Sequence, residues 1–277
     1  MTSPCELQIY CQESQKAQSL AKEILEMAKR LEKKYNFYDP HSYLSTLNQR
    51  TESRLDPQTK ELLRRAKLFY TQTEGIFDIT MGTVTEARSL ESIEQIEAES
   101  RRLYPYVGIA HLHIKKDRLS FDNPYTRIDL GGFVKEYAVD MAVKILKKAK
   151  ITSAIVNFGG DIYALGHKPN GQAFRIGIKN PLNPSQYLTE YMISDQALTT
   201  SASYERSRVV ETKSYSHIIS PDTLQSEILS VSIIAPTTLE AGVFSTAVMI
   251  KPTLKHKYPS LHIDQSLKID TSPIPQT

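Results

Sequence analysis

The run Asp129-Leu-Gly-Gly-Phe-Val-Lys-Glu-Tyr-Ala-Val-Asp140 places two adjacent glycines, a lysine and flanking carboxylates in an order that suits an anionic ligand. Residues Thr126–Leu130 read as a short apolar strand, and Val134, Tyr137, Ala138, Met141, Ile145 and Leu146 recur at helical spacing. Gly131 and Gly132 then fall at a strand-to-helix turn. Without a Cβ they let the backbone approach a ligand, and the first N–H groups of the helix are unpaired and carry the positive end of its dipole. A plain tight turn has the same signature. A second pair, Gly159 and Gly160, follows the apolar strand Ala154–Phe158, with Asn157 and Asp161 on either side. Two close-approach turns point to one shared ligand, and phosphate is the chemistry they fit.

These turns need elements to hold them. Leu20, Ile24, Met27 and Leu31 mark the buried face of a helix over 14–35, and Asp56-Pro57 supplies an N-cap and a first-turn proline for a second helix ending before Gly75. A short helix is expected over 90–103 and a last one over 238–250. Strands are expected at 4–10, 111–114, 118–121, 174–179, 188–193, 215–219 and 228–235. Helices come early and strands late. That order predicts an α+β fold, a mixed and largely antiparallel sheet packed with helices in a single domain over 1–250, followed by a 251–277 extension ending in disorder.

Composition narrows the function. The chain has 277 residues, 40% of them hydrophobic, enough for a substantial core. Its 34 basic and 31 acidic residues are dispersed and give a net charge of +3, too balanced to imply a nucleic-acid surface, and no nucleic-acid partner is expected. The dense run Lys144, Lys147, Lys148 and Lys150 reads as a solvated helix end. Cys5 and Cys11 have no metal-ligand spacing. No stretch is long enough to span a membrane, and no secretory signal begins this sequence, so the expectation is a cytoplasmic protein, or a periplasmic or membrane-anchored one if a leader has been removed. Neither standard nucleotide-binding glycine fingerprint is present.

The ordered series Tyr38-Asp-Pro-His-Ser-Tyr-Leu-Ser-Thr-Leu-Asn48, Gly75-Ile-Phe-Asp78, Asp129-Leu-Gly-Gly-Phe-Val-Lys135, Asn157-Phe-Gly-Gly-Asp161, Ile176-Gly-Ile-Lys-Asn-Pro181, Thr200-Ser-Ala-Ser-Tyr-Glu-Arg206, Tyr215-Ser-His-Ile-Ile219 and Ser245-Thr-Ala247 resembles the ApbE family of FAD:protein FMN transferases. The resemblance runs from the first strand to about Ile250 and implies a T-fold-like architecture. It also implies magnesium-dependent cleavage of FAD, transfer of FMN to a Thr or Ser hydroxyl of a target flavoprotein through a phosphoester bond, and release of AMP. The target implied is a flavoprotein, with a subunit of a membrane redox complex as one kind.

The resemblance carries the flavin and adenine contacts onto Met1, Tyr38, Ile76, Phe77, Asp78, Asp129, Lys135 and Ile218, with His217 as general base or orienting group. Plainer readings stand beside these: Tyr38 and Phe77 as core aromatics, Asp78 as a cap for the Thr80 region, and Asp129 as a brace for the glycine turn. Lys135 at a helix N-terminus asks for an anionic partner. The other histidines, His41, His111, His113, His167, His256 and His262, carry no such motif.

For the metal, the resemblance implies the carbonyl of Gly132 with the side chains of Ser245 and Thr246, and Mg²⁺ as the cation beside FAD as substrate. Here the sequence departs from the family. The usual pattern has an Asp four residues before the Thr; this chain has Gly242. Mg²⁺ is ordinarily held by one or two carboxylates with phosphate and water, so the expectation is a weakened, carboxylate-poor pocket that Gly242→Asp would strengthen. Glu240 sits two residues early, on a different helical face. Further departures are Ala202 and Ser203 for Gly-Asp, Ser220 for Asp, Leu224 where Gly is usual, and Glu136 for the Gly after Lys135. The alternative to an active transferase is therefore an FAD-binding protein of the same fold with weak or no transfer activity.

Overall fold

The computed structural model describes residues 4–202, 207–210, 213–216 and 228–272. The helices are α1 (Ser14–Tyr35), α2 (Tyr43–Asn48), α3 (Pro57–Gln72), α4 (Gly82–Thr85), α5 (Ile93–Leu103), α6 (Val134–Lys148) and α7 (Thr238–Ile250). The strands are β1 (Cys5–Ile9), β2 (Leu112–Lys115), β3 (Arg118–Phe121), β4 (Ser153–Phe158), β5 (Asp161–Gly166), β6 (Phe174–Asn180), β7 (Asn183–Ile193), β8 (Gln196–Ala202), β9 (Ser207–Val210), β10 (Lys213–Ser216), β11 (Ile228–Ala235), β12 (Ser260–Asp264) and β13 (Ile269–Ser272). The α+β class expected from the sequence is the one observed.

Two compact units share the chain. The first is drawn from residues 1–32, 132–204 and 224–277, and the second from residues 33–131 and 205–223. The first unit is built on a seven-stranded sheet of order β1-β4-β5-β8-β11-β12-β13. Every neighbouring pair in it is antiparallel. The central strands are apolar on both sides, because both faces are covered. The β6–β7 hairpin sends Phe174, Ile176, Ile178 and Ile193 against Ile155, Ala164, Leu198, Ile234, Leu261 and Ile263. Helices α6 and α7 pack against β4, β5, β8 and β11. Helix α7 is buried on nearly all sides, as an almost wholly apolar helix must be.

The second unit holds α3, whose N-terminus is capped by Asp56 accepting from Gln58 and Thr59 N–H, and the hairpins β2–β3 and β9–β10. The strand expected at 126–130 is not one. Its backbone is extended but pairs with a side chain: the Asn48 amide donates to Ile128 O and accepts from Ile128 N–H, each at 2.8 Å. Asp129 N–H then bonds Ile79 O at 2.8 Å. Gly82 permits this approach, since a Cβ there would lie 2.9 Å from Arg127 O and Asp129 N. Strands β5, β8, β9, β12 and β13 match none of the expected strands; β5 and β8 run through the main sheet, and β12 and β13 extend it from within 251–277. The disorder expected at the end of that extension falls on residues outside those described.

Candidate functional site

In the first unit, α6 starts at Val134 behind Phe133, which offers no side-chain cap, so the first amides of the helix have no capping side chain. Gly132 is exposed, and a Cβ added there would meet nothing within 4 Å. The turn at 131–132 thus uses no positive φ and leaves an open face, whereas Gly159 and Gly160 have φ of 61° and 93°. Those two form the two-residue loop between β4 and β5, where Phe158 pairs with Asp161. Positive φ at both central residues is the geometry of a type I′ hairpin turn, braced by Asn157 accepting from Gly160 N–H at 2.9 Å. Hairpin twist alone accounts for this second glycine pair, and it is no repeat of the first.

Lys135 finds its anionic partner within the chain. Its ammonium lies 2.5 Å from the Asp161 carboxylate, with the side chains 17% and 3% exposed. Asp161 is held above the usual carboxylate range, first by burial and then by the negative charge of Glu136, against the pull of Lys135. Glu136 is itself 6% exposed; its buried Oε2 meets no donor, and its carboxyl lies within hydrogen-bonding reach of that of Asp161.

One turn further along α6, Asp140 accepts from Thr238 N–H at 2.7 Å and from Leu239 N–H at 3.1 Å. A buried carboxylate therefore fixes the start of α7 against α6. The same helix start is capped by Thr237, whose hydroxyl accepts from Glu240 N–H and donates to the Glu240 carboxylate at 2.8 Å. The other Glu240 oxygen accepts from the Tyr258 hydroxyl at 3.1 Å. Glu240 is occupied as a cap and does not replace the missing aspartate.

Ser245 and Thr246 lie together beside β8. Ser201 hydroxyl is 2.9 Å from Ser245 Oγ and 3.1 Å from Thr246 Oγ1, and Ser245 also donates to Gly242 O at 3.1 Å. Ser245 is fully buried and Thr246 partly exposed. Position 242 is not an open space awaiting a side chain. A Cβ at that position would stand 2.5 Å from Glu136 Cγ, 3.2 Å from its Cδ and 3.4 Å from its Oε1. The space is filled by another residue's carboxylate arm, so Gly242→Asp would collide with it. Two departures read separately in the sequence, at 136 and 242, meet in space.

Oxygen groups of the kind a hard cation takes are present in this unit: the buried Glu136 carboxyl, which lies against that of Asp161, the partly exposed Thr246 and the exposed Gly132. Among the described residues no three His, Cys, Asp or Glu side chains converge as a ready metal cluster. Hydroxyl, carbonyl, water or substrate oxygens would have to complete any coordination shell.

In the second unit the plainer readings of the candidate residues are seen directly. Asp78 accepts from Thr80 N–H and Thr80 Oγ1, each at 2.7 Å, and Thr80 Oγ1 accepts from Gly108 N–H at 2.7 Å. Burial raises the Asp78 carboxyl above its ordinary range. Asp129 accepts from Gly131 N–H at 2.8 Å, and burial raises it as well. Phe77 is buried and Ile76 half-buried, while Tyr38 is 78% exposed and rests edge-on against Phe37. A tyrosine this exposed is no core aromatic. Met1, His217 and Ile218 lie outside the described residues, as do Ser203 and Ser220. Sequence reasoning missed Glu136, Ser201 and Asp140 as site residues. The one available signal was the coincidence of Glu136 with Gly242.

The family model described as "ApbE family" matches residues 1–258. The FAD:protein FMN transferase of Vibrio cholerae is 29% identical over 231 residues, spanning 78% of this chain and 69% of that protein. The FAD:protein FMN transferase of Chlamydia pneumoniae is 29% identical over 228 residues, spanning 77% and 68%. The crystal structure of the ApbE protein from Thermotoga maritima superposes with a TM-score of 0.86 at 27% identity, over 98% of this chain and 94% of that one.

Proposed function

The chain belongs to the ApbE family, and from that premise we propose that it transfers FMN from FAD to a Thr or Ser hydroxyl of a target flavoprotein, with Mg²⁺, releasing AMP. The observation that carries this reading is the span of the family match over residues 1–258, which takes in every quoted motif.

In the reaction the acceptor oxygen bonds the phosphorus of the FMN half, the bond from that phosphorus to the bridging oxygen breaks, and AMP leaves with that oxygen. The acceptor's proton passes to a base, the part assigned to His217. Such a transfer asks the protein for alignment and charge stabilisation more than for covalent chemistry. The uncapped amides of α6, the open backbone at Gly132 and the ammonium of Lys135 suit phosphate oxygens. Asp161 holds that ammonium in place. Tyr38, Ile76, Phe77, Asp78 and Asp129 are assigned to flavin and adenine by the family pattern; Tyr38, exposed, is available for stacking. Gly132, Ser245 and Thr246 are assigned to Mg²⁺, which when bound neutralises and orients the diphosphate.

The test is to incubate purified protein with FAD, Mg²⁺ and a candidate target flavoprotein, then look for ultraviolet-excited flavin fluorescence on a denaturing gel. A fluorescent target band is expected. FAD held by the folded protein with no band would favour the binding-only alternative. The ground for that alternative, a missing carboxylate at position 242, is weakened by Glu136 filling the same space. In the same assay His217→Ala is expected to cut transfer far more than FAD binding, by about 10²-fold or more. An equal loss of both would make it a binding residue.

A further inference from the structure

We infer that Glu136 is the carboxylate through which this chain holds its divalent cation, supplied from α6 in place of the family's aspartate on α7, with Gly242 as the gap that admits it. The inference rests on the transferase reading and its use of a cation.

Four observations converge. First, Gly242 lies mid-helix, where glycine weakens a helix relative to alanine, so its presence calls for a close neighbour. That neighbour is Glu136 Cγ, 2.5 Å from where a Cβ would stand. Second, Gly242 and Thr246 are four residues apart and share one face of α7. The Glu136 carboxylate, with Cδ 3.2 Å and Oε1 3.4 Å from the position-242 Cβ point, therefore sits beside the volume an aspartate there would fill, one turn from the Thr246 hydroxyl. Third, Glu136 Oε2 is buried without a donor and its carboxyl lies against that of Asp161, so two buried carboxyl groups share the one ammonium of Lys135, a surplus of negative charge that a cation relieves. Fourth, the arrangement is braced: Asp140, four residues on along α6, bonds the first amides of α7 and sets the two helices in register.

Exchanging Gly and Asp for Glu and Gly at these two positions moves one carboxylate from one helix to its neighbour and conserves the count. The longer glutamate arm spans the extra distance.

The test is equilibrium binding of Mn²⁺ followed by the electron paramagnetic resonance signal of the free ion, on the full chain, with folding checked by circular dichroism. Glu136→Gln is expected to weaken Mn²⁺ binding by about tenfold or more. Gly242→Asp alone is expected not to tighten it. The double variant Glu136→Gly/Gly242→Asp is expected to return the affinity to near that of the unaltered protein. Should Glu136→Gln fail to fold, the double variant decides: binding near the original level supports the inference, and binding lost in a folded protein overturns it. Unchanged affinity in a folded Glu136→Gln protein overturns it, as does an unaltered protein that binds no Mn²⁺. FMN transfer with Mn²⁺ affinity indifferent to Glu136 sinks this inference and leaves the transferase reading intact. Mn²⁺ held through Glu136 without any FMN transfer does the reverse.

Discussion

At the scale of residues, the informative groups are those whose form is dictated by a neighbour. Gly160 has φ of 93° and open space where a Cβ would go, so Gly160→Ala should lose only the left-handed backbone preference, about 1 kcal/mol. Chemical denaturation would measure it, and FAD affinity should stay unchanged; a large loss of FAD binding would return this turn to the ligand site. Asp140 is the opposite case. Asp140→Ala removes a buried carboxylate from two amide donors and should cost about 3 kcal/mol, read as a fall in the denaturation midpoint at constant m. A change under 0.5 kcal/mol would contradict its role as the clamp on α7. The clamp left no trace in the sequence, and the meeting of Glu136 with Gly242 left only the coincidence of two departures, because each joins residues distant in the chain through packing that no local period encodes.

At the scale of elements, legibility followed the strength of local signals. The helices over 14–35 and 238–250 and the strands over 118–121 and 228–235 appear with the expected bounds. Helical spacing of Leu20, Ile24, Met27 and Leu31 marks the first, Leu239, Val243, Ala247 and Ile250 the second, and apolar residues alternating or running between turn residues mark the two strands. Thr126–Leu130 misled because Ile128 and Leu130 are buried as in a strand, while the backbone of Ile128 and Asp129 bonds the Asn48 amide and Ile79 O and has no partner strand. Helix α3 shows a local signal that held: Asp56 caps it and pairs with Lys34 at 2.9 Å. Burial pushes the Asp56 carboxyl up, but the Lys34 ammonium and the Thr59 donors outweigh it and hold it below its ordinary 3.8. A depressed folded value means the stabilisation is complete above about pH 4 and drains as pH falls below 3.8 toward the lower folded value. Acid unfolding of Asp56→Asn against the unaltered protein should show the difference in stability shrinking across that window; a constant difference would count against it.

At the scale of the whole molecule, the α+β class was readable from the order of helices and strands, and the family from the series of motifs. The sheet's far edge was not. The strands Ser260–Asp264 and Ile269–Ser272 sit in a stretch rich in lysine, proline and serine, and their short alternation declares itself only once β11 offers an edge to pair with. Truncation after Ile250 would strip that edge along with Leu261 and Ile263 from the core. Such a chain should be much less stable, with a clear drop in thermal midpoint; an unchanged midpoint would show these strands to be ornamental to the sheet. The most direct measurement of the central claim is the joint yield of AMP and of covalently flavinylated acceptor, by chromatography and by mass spectrometry of the acceptor peptide. Transferase action predicts equal amounts of the two, with FMN on one Thr or Ser, dependent on Mg²⁺. FAD that stays bound and intact, with neither AMP nor modified acceptor formed, would contradict it.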